Sequence, residues 1–289
     1  MLSKVDPSLY HRAPVAADAA LRLRYLGTAG FVVQGAQRTL VLDPFVSRPS
    51  LLRTGLFPLE PDAARIRRLL PQADDVLVGH AHYDHVLDAP LLCHHTGARL
   101  IGSPAVGMCG RAAGLPEEQI VVTRGREDIA SGSGRVRGLP SRHGRVYFNR
   151  VSLPGDITAP PAWPPRFHTL KHGLVLNWFV ELAGRRLVHV DSADFDSEEW
   201  ARLELGGQDV DVLCLCAIGR RYRPRYVQEA VERMRPKVVI ACHWDLFSSP
   251  YEREPYLLPG VDLPGFCDEV RRAGSQPLVL PLDGQLGVV

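Results

Sequence analysis

The segment at residues 78–85, VGHAHYDH, holds three histidines and one aspartate in its last six positions. His80 and His82 end a short apolar run that predicts a strand, so both imidazoles can point to the same side of it. Asp84 and His85 follow at the point where the chain should turn into a helix. Imidazole nitrogens and carboxylate oxygens bind divalent metals. The first two histidines can therefore share one ion, while the next two residues can reach a second.

Three further candidate ligands lie at the ends of other predicted strands. The motif LPSRHGR places His143 after a strand-like run, LVHVDSAD places Asp191 at a strand end, and KVVIACHWD places His243 at another. Because each candidate follows a strand, several strands can converge on one edge of a sheet and leave an open site. Histidine and carboxylate ligands without cysteine suit zinc, and manganese or iron could occupy the same shell.

The segments around these residues predict the elements that must position them. Residues 21–26, 31–34 and 39–43 predict three short strands in an antiparallel meander, joined by the turns GTAG and QGAQ. Helical and strand-like apolar patterns then alternate, which in a chain of 289 residues predicts one α/β domain over residues 1–289 with an N-terminal arm at 1–20. The further predicted helices are 61–71, 86–96, 103–113, 224–235 and 264–273, and the further strands are 74–80, 99–102, 119–123, 174–182, 186–190, 210–216 and 237–242.

One long segment, residues 144–172, is rich in proline and aromatic residues and shows no period. Such a segment is either a surface excursion or a functional loop, because long irregular loops in compact domains tend to be functional or disordered. The functional interpretation makes it a lid or a wall of the substrate pocket.

The composition bounds the partners and the compartment. The chain has 34 lysines and arginines against 32 aspartates and glutamates, and 45% of its residues are hydrophobic, which is typical of a soluble globular protein. This balance predicts no nucleic-acid partner. No apolar run is long enough for a secretory signal or a transmembrane segment, so a cytoplasmic location is expected. The six cysteines form no CxxC pair and are expected to be buried, while the oligomeric state is not encoded in any visible motif.

The ligand pattern resembles that of metallo-β-lactamase-fold hydrolases over most of residues 21–245. The resemblance implies a four-layer αβ/βα sandwich with the active site at one edge of its two sheets, and two bound metals. It implies that the first metal is held by His80, His82 and His143, and the second by Asp84, His85 and His243, with Asp191 bridging the two.

A narrower resemblance rests on the opening motifs YLGTAGFVV and LVLDPF. These are similar to motifs of ascorbate-phosphate lactonases and of N-acylphosphatidylethanolamine-type phospholipases D. One departure concerns the bridging aspartate, which family members usually carry in Gly-Asp-Thr and this chain carries in Val190-Asp191-Ser192. The carboxylate is kept, so the departure affects the local turn and not the ligand.

The ligands predict hydrolysis. Two zinc ions about 3.5–4 Å apart can share a water and lower its pKa to about 7, which gives a hydroxide nucleophile at neutral pH. The expected substrates are an ester or lactone first and a phosphodiester second, and Asp84 could also orient the water. The alternative is an iron-dependent redox enzyme of oxygen or sulfur chemistry on the same fold. Flavodiiron members typically carry glutamate where this motif has His82, and persulfide dioxygenases keep one iron, so the complete histidine set argues against both.

The candidate substrate contacts come from three other places, for a small-molecule or lipid-like substrate. The motif IGRRYRPRY offers Arg220, Arg221 and Tyr222, which could grip a phosphate or carboxylate or could form a solvated helix start. Phe45, in DPFVSRPSLLRTGLF, could line an apolar groove or cover the core. His172 ends the proline-rich segment and could reach the substrate.

Overall fold

The computed structural model describes residues 3–203, 205 and 209–289, and within them the chain forms two seven-stranded sheets. The first sheet has the strand order β14-β1-β2-β3-β4-β5-β6, with strands numbered along the chain. Strands β3 to β6 run parallel, and β14, β1, β2 and β3 pair antiparallel. Its strands are β1 (Leu21–Gly27), β2 (Gly30–Gly35), β3 (Arg38–Leu42), β4 (Asp75–Val78), β5 (Arg99–Gly102), β6 (Ile120–Val122) and β14 (Gln285–Val288).

The second sheet has the order β13-β12-β11-β10-β9-β8-β7. Strands β10 to β13 run parallel, and β7 to β10 pair antiparallel. Its strands are β7 (Asp128–Ser131), β8 (Gly134–Ser141), β9 (Val175–Leu182), β10 (Arg185–Val190), β11 (Val212–Cys216), β12 (Val238–Cys242) and β13 (Gln276–Leu278). Each sheet is therefore half parallel and half antiparallel.

The α-helices surround the two sheets. They are α1 (Leu51–Leu56), α2 (Ala63–Leu69), α3 (Tyr83–Val86), α4 (Ala89–Thr96), α5 (Pro104–Ala112), α6 (Ser197–Ala201), α7 (Tyr226–Met234) and α8 (Leu263–Arg272). In α8 the buried residues recur at helical spacing, at Leu263, Phe266, Cys267 and Val270, and Asp262 caps the helix by accepting the Gly265 N–H. None of the described helices is long and apolar enough to cross a membrane.

The layers follow from the alternation of side chains along the strands. On β3, Leu40 and Leu42 belong to the core between the two sheets, whereas Val41 belongs to a second core beneath α2, α4 and α5. Residues of α7 and α8, such as Val231 and Phe266, pack with the second sheet. The order helix, sheet, sheet, helix confirms the predicted four-layer αβ/βα sandwich.

Parallel strands from both sheets deliver their carboxyl ends to one edge of the sandwich. Strand β4 ends two residues before His80, β10 ends one residue before Asp191, and β12 ends one residue before His243. Crevices at the carboxyl ends of parallel strands are common ligand sites in α/β proteins. The ligand candidates converge here because the strand ends do.

The N-terminal arm and the long loop at residues 144–172 are both packed against the fold. In the arm before β1, Val5 and Tyr10 are buried in the main core. In residues 144–172, Ile157 and Leu170 are buried in the core beneath α2 and α4, and the Pro165 carbonyl accepts a hydrogen bond from Leu59 N–H at 2.7 Å. The long loop is therefore an anchored wall and not a detached excursion.

Candidate metal centre

Three histidines form the first group of potential ligands. The nitrogens that His80, His82 and His143 offer all lie within 4.8 Å of one another. The ring centroids are 4.6 Å apart between His80 and His82, and 4.7 Å apart between His82 and His143. His80 and His82 are buried and His143 is half-buried. Strand β4 and the loop after β8 thus bring together residues that are far apart in sequence.

The second group consists of Asp84, His85 and His243, whose ligand atoms also lie within 4.8 Å of one another. Asp84 Oδ2 is 3.3 Å from His243 Nε2 and 3.7 Å from His85 Nε2. All three residues are buried, and the first two lie in the short helix α3 that begins directly after His82. The turn from strand to helix therefore separates the two groups, as the motif predicted.

Asp191 lies between the two groups. Its Oδ2 is 2.5 Å from His80 Nδ1 and 3.8 Å from His85 Nδ1, while its Oδ1 is buried without a hydrogen-bond partner. A Cβ on Gly79 would lie only 2.2 Å from Asp191 Oδ2, so the carboxylate fits there because residue 79 has no side chain. The structure brings all seven predicted ligands into one cluster.

Burial keeps the first group neutral at pH 7. It lowers the pKa of His82 to about 4 and that of His143 to about 3, and it lowers the pKa of His80 well below its usual value. Metal ions bind the neutral imidazole, so these side chains need not lose a proton before they bind one.

Carboxylates surround His85 in the second group. Burial alone would lower the pKa of His85, but the negative charges of Asp84 and Asp43 outweigh it and raise the pKa to about 9. Burial would raise the pKa of Asp84, but the neighbouring His85 and His243 outweigh it and lower the pKa. Buried carboxylates packed around histidines favour a bound cation. The nitrogen and oxygen donors of the cluster are the ligands that divalent metals take, and Asp191 Oδ1 is buried without a hydrogen-bond partner. The cluster therefore fits a divalent metal.

Asp43 supports this centre and was not among the predicted site residues. It follows β3, has a positive φ of 40°, and accepts a hydrogen bond from Gly79 N–H at 2.7 Å. Its Oδ2 lies 3.4 Å from His85 Nδ1, where it can hold the ring with Nε2 free for a ligand role. The signal was present in the motif LVLDPF, since Asp43 ends a strand as the other site residues do.

A buried network fixes His243. Its backbone N–H donates to the Thr28 carbonyl at 2.5 Å, and Thr28 N–H donates to Asp245 Oδ1 at 2.7 Å. Asp245 also accepts a hydrogen bond from Tyr25 Oη at 2.6 Å and forms an ion pair with the fully buried Arg48. The turn GTAG thereby holds the last predicted ligand in place.

A cavity of about 550 Å³ opens above the two groups. Its floor is formed by the histidines and aspartates of the cluster, and its walls are mainly apolar. Six of the wall residues are Leu51, Tyr83, Tyr147, Leu153, Phe167 and Phe247. The long loop supplies three of them, so it forms a wall of the cavity.

Phe45 does not line this cavity. It is fully buried, with its ring centroid 5.7 Å from that of Tyr83 and 6.5 Å from that of Phe247. Those two rings face the cavity in its place. The prediction of a substrate contact is corrected to a supporting position behind the wall.

Arg220, Arg221 and Tyr222 also lie away from the described cavity lining. The Arg220 guanidinium is 3.1 Å from Asp262 and 3.3 Å from Glu269, both at α8. Arg221 donates to Tyr222 Oη at 2.8 Å. Arg220 therefore faces α8 and already has two carboxylate partners, whereas Tyr222 lines a neighbouring cleft together with His143 and His172.

His172 lies beside the first group. Its ring stacks on His143 with centroids 5.5 Å apart, and its Nδ1 is 2.6 Å from the Gly173 carbonyl oxygen. It lines a neighbouring cleft of about 500 Å³ that shares His143 with the main cavity. Its contact with substrate stays a prediction.

Comparison with known sequences agrees with this geometry. The sequence model of the family described as beta-lactamase superfamily domain matches residues 22–243. A UPF0173 metal-dependent hydrolase of Anaeromyxobacter dehalogenans is 31% identical over 241 residues, which cover 81% of this chain and 78% of that protein. Another, of Symbiobacterium thermophilum, is 30% identical over 266 residues, which cover 90% of this chain and 96% of that protein.

Solved structures share the fold at lower identity. Igni18, a metallo hydrolase of Ignicoccus hospitalis, superposes with a TM-score of 0.61 at 17% identity, covering 92% of this chain and 97% of that one. CmlA, a diiron beta-hydroxylase of Streptomyces venezuelae, superposes with a TM-score of 0.59 at 15% identity, covering 96% of this chain and 55% of that one. On the sequence match and the shared architecture, the chain belongs to the β-lactamase superfamily domain family, among the UPF0173 metal-dependent hydrolases.

Proposed function

We propose that this protein is a hydrolase that depends on a dinuclear metal centre, with zinc as the first candidate and manganese or iron as alternatives. The observation that carries the proposal is the pair of ligand groups, each within 4.8 Å, on either side of the unpartnered Asp191 carboxylate oxygen. His80, His82 and His143 would hold one metal, and Asp84, His85 and His243 would hold the other. Asp191, whose ligand atom also lies within 4.8 Å of those of His80 and His85, would be available to both.

Bound divalent ions supply Lewis acidity to the substrate oxygen and lower the pKa of water to about 7. The chain's own residues do the rest. Asp84 stays ionised beside His243, so it can accept a hydrogen bond from the attacking water and orient it. Tyr83 and Phe247 close one side of the cavity with apolar surface, which limits bulk water and orients the substrate.

The lining of the cavity favours a neutral ester or lactone over a phosphodiester. No lysine or arginine lines the cavity among the residues that the structure describes. A phosphodiester brings a negative charge, which proteins commonly meet with arginine or lysine. The narrower resemblance to lactonases and phospholipases D stays a prediction. It does not choose between the two substrate classes, because lactonases cleave lactones and phospholipases D cleave phosphodiesters.

Iron-dependent redox chemistry is the second candidate. The likeness to CmlA shows a shared fold only, because the identity is 15%. Metal content and activity together separate the two candidates, since the hydrolase requires about two divalent ions per chain and cleaves an ester, whereas a redox iron centre would give a coloured protein without hydrolysis.

The decisive experiment is elemental analysis of the protein purified without added metal, followed by assays on lactones, carboxylic esters and phosphodiesters. His82→Ala and Asp191→Ala should lose metal and hydrolysis together. His94→Ala is the matched control, because His94 is exposed on α4, outside the ligand cluster. Full hydrolysis by the metal-free protein would refute the proposal, and iron without hydrolysis would favour the redox candidate.

A further inference from the structure

Exposed apolar side chains are concentrated in two short segments of the chain. Helix α1 and the residue after it expose Leu51 by 65%, Leu52 by 70%, Leu56 by 57% and Phe57 by 54%. In the long loop, Phe148 is 90% exposed and Tyr147 is 42% exposed. Large apolar side chains gathered on a surface mark an interaction site more often than chance.

These two segments flank the mouth of the cavity. Leu51 from α1 and Tyr147 from the long loop both line it, and their apolar neighbours in sequence face solvent. We call the set Leu51, Leu52, Leu56, Phe57, Tyr147 and Phe148 the apolar rim. Phe148 has a φ of 56°, which is sparsely populated for a bulky residue and here accompanies a solvent-exposed ring.

The charge around the apolar rim is strongly one-sided. Residues 44–59 and 141–172, which carry the rim and much of the cavity wall, contain seven arginines and lysines but one carboxylate. Three of the seven are neutralised: Arg48 is buried against Asp245, Arg53 pairs with Glu60, and Arg142 pairs with Asp196. Arg145, Arg150 and Arg166 form no ion pair with any described residue. The apolar rim therefore lies within a positively charged surface.

We propose that the apolar rim docks on an anionic lipid surface, with the mouth of the cavity facing the lipid. Leucine and aromatic side chains enter the boundary between headgroups and acyl chains, while arginines bind the negative headgroups. A protein partner or a second copy would need carboxylates opposite these arginines. Peripheral docking of this kind needs no transmembrane helix, and it is independent of which bond the metal centre cleaves.

The test is co-sedimentation of the full-length protein with vesicles of phosphatidylglycerol and phosphatidylcholine in about equal parts, compared with phosphatidylcholine alone. We expect binding to the anionic vesicles that is at least about ten-fold tighter than to the neutral ones and that weakens with salt. Leu52→Ser with Phe148→Ser, and separately Arg150→Glu, should each weaken it by about ten-fold.

Matched controls lie away from the mouth. Val289→Ser changes an exposed apolar residue directly after β14, whose Val288 pairs with Leu21, and Arg22→Glu reverses an exposed charge beside it. Both lie at the start of β1, the end remote from His243. Both controls should bind anionic vesicles as the parent does, and thermal unfolding should show that every variant is folded.

Four results would overturn the proposal. They are the absence of binding by the parent, equal binding to both vesicle types, undiminished binding by the rim variants, and equal losses in the controls. Sedimentation velocity tests self-association as the remaining alternative. If the parent is a dimer that does not bind vesicles, and the rim variants are monomers, the apolar rim would be a surface for self-association.

Discussion

Asp43 holds a metal-binding histidine candidate without facing the cavity itself. Its two oxygens point to different partners, the Gly79 N–H at 2.7 Å and His85 Nδ1 at 3.4 Å. One carboxylate therefore fixes the backbone before His80 and places a negative charge beside the ring of His85. Residues that orient metal ligands in this way affect metal affinity strongly, although they never touch the ion.

We expect Asp43→Asn to weaken metal binding by about 10–100-fold, because the neutral amide no longer stabilises the Nδ1–H form of His85. Competition with a chromophoric chelator measures this affinity. Asp75→Asn is the matched control, since Asp75 is also buried but lies at the start of β4, in contact with Arg38 and Arg99. The control should leave metal affinity unchanged, and equal losses in both variants would contradict a specific role for Asp43.

At the scale of the element, the turn after β4 depends on a residue without a side chain. Gly79 lies between Val78, where β4 ends, and His80, and its Cα faces the Asp191 carboxylate across the gap between the sheets. A methyl group at this position would meet Asp191 Cγ at 2.6 Å and the Leu176 carbonyl oxygen at 3.1 Å. The two strand ends can approach this closely only with glycine here.

Gly79→Ala should therefore displace Asp191 and lower metal occupancy, which elemental analysis of the purified variant measures. Gly55→Ala is the control substitution, because a Cβ there meets no atom within 4 Å and lies inside α1. The control should keep its metal and gain about 0.5–1 kcal/mol of stability from the helix. Full metal occupancy in Gly79→Ala would show that the turn can relax.

The positions of the elements were predictable because apolar periodicity is a local signal. The strand predicted at 174–182 is β9 at Val175–Leu182, and the helix predicted at 264–273 is α8 at Leu263–Arg272. Strand pairing was not predictable in the same way. Strand β14 pairs with β1, placing Leu21 opposite Val288. No pattern within either segment predicts that these two strands pair.

The same limit explains the site predictions. The ligand candidates could be found because each follows a strand, and parallel strands end at one edge. The direction of Arg220 could not be found, since it is set by Asp262 and Glu269, which are distant in sequence. Phe45 was ambiguous for a similar reason, because the two rings that cover it come from different segments.

At the scale of the whole molecule, the candidate metal centre draws its ligands from both sheets. His80, His82, Asp84 and His85 follow a strand of the first sheet, whereas His143, Asp191 and His243 follow strands of the second. Ions held by both sets would resist separation of the sheets, and a ligand that binds only the folded state stabilises that state by mass action.

Removal of metal with a chelator should therefore lower the unfolding temperature. At a free metal concentration about 1,000 times Kd the stabilisation is about 4 kcal/mol, which corresponds to roughly 10 °C for a chain of this size. Differential scanning calorimetry measures the shift. His82→Ala should respond far less to the chelator than the parent, and an identical response would contradict a metal link between the sheets.

The division of the ligands between the two sheets also bears on biosynthesis. The ribosome adds roughly 5–20 residues per second, so a nascent chain displays the HxHxDH segment on the order of ten seconds before His243 is made. During that interval the emerging segment holds only part of the coordination shell. Assembly of the proposed ligand set must therefore wait until His243 has left the exit tunnel and β12 has joined its sheet.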